Sequence, residues 1–153
     1  MWQGNRINSQ IKRAGRDYGS ANYERAFFLG QKSEEATEQD RQVIADLRDT
    51  LAAHRESCVG MAANMIGSRK RIIIVSLGFA DLVMVNPVII QKSQPYETEE
   101  SCLSLTGVRK TGRFRKIKVR YQDEAFRKHT QEYEGYIAQI IQHECDHLEG
   151  VII

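Results

Sequence analysis

The sequence His143-Glu144-Cys145-Asp146-His147 stands close to the C-terminal end of the chain, and it constrains the fold more than any other feature. On an α-helix, residues i and i+4 lie about 40° apart around the axis, so both imidazoles leave one face a turn apart. They are thereby placed to share one cation. Ile137, Ile140, Ile141 and Leu148 recur at helical intervals around the motif and Gly150 follows as a stop. A helix over 137–148 is therefore predicted. Glu144, directly after the first imidazole, sits beside the same face, where a carboxylate can take a proton from an activated water and pass it to a leaving group. Two unrelated surface histidines are the bland alternative, and the helical placement argues against it.

Only Leu148, Glu149, Gly150, Val151, Ile152 and Ile153 follow His147. A third ligand must then come from upstream, which requires the chain to fold back onto its last helix. The soft-metal candidates are Cys58, Cys102, Cys145, His54 and His129. Cys145 lies two residues from each histidine, about 200° around the helix, and is expected as a core thiol. Glu149 is too close along the helix. Cys102 is favoured because Glu99-Glu100-Ser101-Cys102-Leu103-Ser104 is strand-like. Such a segment could lay one side chain against the helix and offer backbone N–H groups to a substrate.

The remaining text is that of one domain. Residues 1–22 are polar and basic with no period and are expected to be a disordered arm outside the fold, leaving 23–153 as a single domain. Thr37 with Asp40 resembles a capping box, and Val43, Ile44, Leu47 and Leu51 share one face, predicting a helix of about five turns that ends near Ser57. Residues 58–67 are rich in small side chains and read as a tight loop. β-Branched blocks at 72–77, 82–90 and 99–105 read as short strands, with Pro87 marking an edge or a bend. Ile117, Val119 and Tyr121 alternate with Lys116, Lys118 and Arg120, which predicts a half-buried strand with its charges in water, returning as a hairpin through residues 123–126.

Composition narrows the functional classes. Twenty-two basic and twenty acidic residues leave a net charge of +2, which supplies no general attraction to nucleic acid or to a membrane surface. The early stretch Ala26-Phe27-Phe28-Leu29 is too short for a secretory signal, no apolar run approaches membrane-spanning length, and three cysteines suit no disulfide framework. A cytoplasmic chain with reduced thiols is expected, with no direct nucleic-acid or membrane partner.

Gly60-Met61-Ala62-Ala63, then Glu100-Ser101-Cys102-Leu103-Ser104, then Gln142-His143-Glu144-Cys145-Asp146-His147-Leu148-Glu149-Gly150 resemble, in this order, the three signature motifs of peptide deformylases. The resemblance covers about residues 27–153. It implies an α+β fold of short, mainly antiparallel strands around the C-terminal motif helix, with the Thr37 helix on their outer side. It implies removal of the N-formyl group from the formyl-methionine of nascent bacterial peptides. One divalent metal, Fe²⁺ natively and Zn²⁺ or Ni²⁺ in isolated samples, would be held by Cys102, His143 and His147, with Glu144 as acid and base. The peptide would lie as an added strand beside Val59, Gly60 and Ser101, and the backbone N–H of Leu103 would help to hold the oxyanion. Proximity to the ribosome is implied by the resemblance alone, and a contact made through a C-terminal extension is not expected in a chain that stops at Ile153.

The chain departs from the family pattern at three places. Cys58 stands where the first motif usually opens with glycine, Ser101 where the second has glycine, and Met65 where the first usually ends in glutamine. That glutamine donates a hydrogen bond to the oxyanion in the family, and methionine has no N–H to give. Asn64 is the adjacent side-chain amide, on a shorter arm. Two functions are therefore expected to compete: a deformylase of reduced activity, and a paralogue that binds metal and peptide with little turnover.

Overall fold

The computed structural model describes residues 27–101 and 107–151. Expectations for the arm, for Cys102 and for Leu103 lie outside the described residues.

Thr37 starts a helical segment as its sequence requires. Its hydroxyl accepts from Gln39 N, and the Asp40 carboxylate accepts from Thr37 N in return, so both members of the capping box are made. A 3-10 turn, Glu38–Asp40, leads into α1, Arg41–Ala53. Ile44, Leu47 and Leu51 form its buried face. The helix ends at Ala53, short of Ser57, because His54, with its N–H on Leu51 O, already leaves helical geometry.

Five strands follow in an antiparallel meander, β1 to β5 in spatial order: Gly60–Ala62, Ile72–Ser76, Asp81–Ser101, Val108–Gln122 and Lys128–Glu134. The segment expected as a tight loop holds β1, paired Gly60 to Val75 and Ala62 to Ile73, and then a 3-10 turn, Ala63–Ile66. Small residues serve a close approach here. A Cβ on Gly60 would stand 2.6 Å from Ile140 Cγ2, so only glycine lets β1 lie this near the last helix.

β2 is buried on both faces, which is why its isoleucines and valine run on without polar interruption. Ile72 and Ile74 pack with α1, while Ile73 and Val75 pack with the last helix, α2, Gly135–Leu148. The sheet thus lies between two helices on opposite faces.

One expectation about the strands is corrected. The blocks at 82–90 and 99–105 belong to one strand, β3, which continues through residues whose side chains mostly face solvent on both sides. Asn86 and Pro87 make a bulge in β3, the bend that Pro87 marked. Asn86 takes φ 51°, and its amide bonds both N–H and C=O of Ala36, so the irregularity docks the chain ahead of α1. Arg113, a charge on the inward row of β4 with Ile117 and Val119, is only 5% exposed because it meets two carboxylates, Glu100 and Asp146, as described below. The hairpin from β4 to β5 forms as expected, with Gln122 paired to Lys128.

Candidate metal centre

α2 emerges directly from β5 and carries no side-chain cap on its N-cap residue Glu134. Its far end is secured much more thoroughly. Glu149, Gly150 and Val151 return their N–H groups to carbonyls of the last turn, Ser33 N donates to Leu148 O, and Asn64 Nδ2 donates to His147 O at 2.8 Å. Gly150 takes φ +78°, a left-handed stop as its position predicted.

On the inward face of this helix His143 and His147 are fully enclosed, and their Nε2 atoms approach to 3.2 Å. The rings meet edge to face, with centroids 4.9 Å apart. His143 Nδ1 lies 2.8 Å from Glu100 Oε1. The Glu100 carboxylate also accepts from Arg113 Nε and Nη2 and from Gln139 Nε2. Burial alone would push its pKa up, but the hydrogen bonds from His143, Arg113 and Gln139 prevail and bring it down to about 2. An ionised carboxylate only accepts, so His143 carries its proton on Nδ1 and turns the Nε2 lone pair toward His147.

Two imidazole nitrogens with facing lone pairs repel unless a proton or a cation lies between them. Nitrogens each about 2.0–2.1 Å from a tetrahedral divalent ion stand about 3.3 Å apart, which the observed 3.2 Å closely matches. The donor set therefore fits such an ion. Among the described residues no third His, Cys, Asp or Glu joins the pair.

Glu144 lies 1% exposed beside the two histidines in sequence. A Cβ on Gly60 would fall 3.3 Å from Glu144 Oε1, so the carboxylate and the edge strand β1 are neighbours. Val59 is half-buried against the core that α2 shares with the sheet, and Ser101 closes β3 opposite Val108. Glu144, Val59 and Gly60 thus converge at the start of β1, and Glu100 ties the end of β3 to His143.

Among the described residues, no other ligand candidate forms a metal-binding group with this pair. His129 is at the β4–β5 turn, bonded to Asp123 and stacked on Tyr121. His54 caps α1. Cys58 is buried on the α1 side and donates to Gly60 O. Cys145 is the core thiol expected, and burial raises its pKa to about 12.

Sequence reasoning missed four supporting residues: Glu100, Arg113, Gln142 and Asn64. Arg113 donates to Glu100 and, through Nη1, to Asp146 Oδ2 at 2.7 Å, bracing the helix against β4. Gln142 pairs with Phe114 as another strand would, accepting from its N and donating to its O. Arg113 did carry a signal, since it is in phase with the inward Ile117 and Val119.

The polypeptide deformylase family model matches residues 22–153. The chain belongs to this family. A peptide deformylase of Clostridium beijerinckii is 60% identical over 126 residues, covering 82% of this chain and 93% of that relative. Among solved structures, the deformylase of Thermotoga maritima superimposes with a TM-score of 0.74 at 30% identity, covering 82% of this chain and 87% of that one. The actinonin-bound class I type b deformylase of Acinetobacter baumannii gives 0.73 at 29%, covering 82% and 88%. Peptide deformylases are hydrolases that use one divalent metal, and the antiparallel sheet with its C-terminal helix is their α+β fold.

Proposed function

We propose that this deformylase hydrolyses the N-formyl group of N-terminal formyl-methionine, yielding formate and a free amine. The observation that carries the reading is the buried His143–His147 pair at 3.2 Å, with Glu144 between them in sequence and lying against Gly60 of the sheet edge. His143 and His147 would hold the divalent ion, with Cys102 as third ligand. In sequence Cys102 follows Glu100 by two positions, and Glu100 is the residue that meets His143. When bound, such an ion would supply Lewis acidity.

Glu144 takes the proton as water adds to the formyl carbon, and returns it to the nitrogen as the C–N bond breaks. The peptide lies extended along β1, whose outer edge has no neighbouring strand among the described residues, beside Val59, Gly60 and Ser101. The Leu103 N–H stabilises the oxyanion. Thiolate with two imidazoles suits Zn²⁺ as readily as Fe²⁺; Fe²⁺ as the native ion, with Zn²⁺ or Ni²⁺ accepted, follows from the family resemblance alone. The place of action is the cytoplasm, on chains leaving the ribosome.

Met65 bears on rate. Its side chain packs toward the α1 core, and no amide replaces the missing donor at that position. One absent donor of this kind costs about 2.7–4 kcal/mol, so turnover is expected to be slow. A paralogue without turnover is not favoured, given the 60% identity to a peptide deformylase.

Formate release from formyl-Met-Ala-Ser by Fe²⁺-loaded protein tests the reading. Wild type should release formate, and Glu144→Gln should lose about two to four decades of rate. Met65→Gln should gain rate. Absence of release from both wild type and Met65→Gln, with metal bound, overturns the assignment.

A further inference from the structure

Each imidazole of the pair is steadied from outside, but by different means. Glu100 fixes His143 through its ring. His147 is reached through its peptide: Asn64 Nδ2 donates to His147 O across 83 positions of sequence, at 2.8 Å, in a buried setting. Resting on the metal centre proposed above, we propose that Asn64 is a positioning residue for the metal, which sets the placement of His147 by clamping the last turn of α2 to the turn that follows β1.

Three observations support this role over ordinary core filling. First, the side chain is only 2% exposed, and its Oδ1 has no hydrogen-bond partner among the described residues. A leucine of similar size would fill the space without enclosing an unpaired acceptor, so the amide is present for the one bond it makes. Second, that bond goes to a carbonyl in the last turn, where the helix itself supplies no partner and unravels most readily. Gly150 N reaches the same oxygen at 3.1 Å, but it comes from the same terminus and would leave with it. Asn64 belongs to a different element and holds the turn from outside. Third, the Asn64 end of the clamp is itself fixed. The 3-10 turn Ala63–Ile66 is closed by Ser68 N on Ala63 O and Gly67 N on Asn64 O, with Gly67 at φ +88°.

Asn64 and Met65 therefore divide the work of one turn. Met65 packs toward the α1 core, while Asn64 turns to the motif helix with its N–H engaged on His147 O. One of its two Nδ2 hydrogens is thus committed to the helix terminus. Asn64 acts on the ion through the ligand. Residues that orient metal ligands from behind typically change metal affinity about 10–100-fold when removed.

The test uses the full chain loaded with Co²⁺, comparing wild type, Asn64→Leu and Asn64→Ser. The readouts are the visible d–d spectrum, the rate of Co²⁺ release to excess chelator, and thermal unfolding of the metal-free proteins as a control for folding. Asn64→Leu should release Co²⁺ about tenfold faster or more with a shifted spectrum. Asn64→Ser, which keeps a hydroxyl donor on a shorter arm, should fall between the two. A folded Asn64→Leu with wild-type spectrum and release rate overturns the inference. Should Asn64→Leu not fold, Asn64→Ser decides: faster release supports the clamp and unchanged release overturns it. Failure of wild type to bind Co²⁺ would instead overturn the metal centre on which the clamp depends, and the clamp with it.

Discussion

At the scale of the residue, Gly60 shows how closely chemistry and packing are joined. A methyl group there would press on Ile140 and stand in contact with the Glu144 carboxylate. Gly60→Ala is expected to cost about 1–3 kcal/mol by overpacking. It should also lower formate release at least about tenfold, because misplacing a catalytic group by a fraction of an ångström is expensive in rate. Urea unfolding beside initial rates checks both, and an alanine variant with wild-type values would show that β1 does not seat the carboxylate. His143, Glu144 and His147 were legible because their relation is local, fixed by helical pitch alone. Glu100 and Arg113 were not, because their meeting depends on the register of β3 against β4, which pairs Glu100 with Arg109 and brings Arg113 back toward α2. No spacing within either segment encodes that register.

At the scale of the element, the sequence showed where helices and turns begin better than how far strands run. Thr37 and Asp40 form the cap they advertise, and the turn after β4 closes as expected. β3 outran its expected length because residues 88–99 mostly face water, leaving no apolar alternation to read. The turn at residues 123–127 carries a prediction of its own. Asp123 accepts from His129, from Arg127 N and from Ala125 N, and these bonds, His129 first, depress its pKa to about 2. A folded value below the unfolded one means that the turn's contribution is complete above about pH 4 and fades as pH falls toward about 2. Urea midpoints measured from pH 6 to pH 2.5 should therefore fall less steeply for Asp123→Ala than for wild type. Parallel slopes would assign the acid sensitivity to other carboxylates.

At the scale of the whole molecule, α1 and α2 lie on opposite faces of one sheet, and the proposed metal centre lies where α2, β1 and the end of β3 meet. Binding of an ion to the folded state alone must stabilise that assembly. At a hundredfold excess over its dissociation constant the gain is about 2.7 kcal/mol. For a domain of 153 residues this corresponds to about 5–10 °C in Tm. Chelation should remove that increment and Zn²⁺ restore it, while His147→Ala should show the lower Tm with or without metal; an unchanged Tm on chelation of the wild type would mean that the ion contributes nothing to the fold.

The two ends of α2 are unequal in a way that bears on motion. Its start follows β5 from an N-cap residue without a side-chain bond, whereas its finish is held by Ser33, Asn64 and three returning N–H groups. The bonds that tie the helix to other elements thus gather beside the two imidazoles, so a disturbance of the turn after β1 or of the segment at Ser33 would be felt first at the nitrogens.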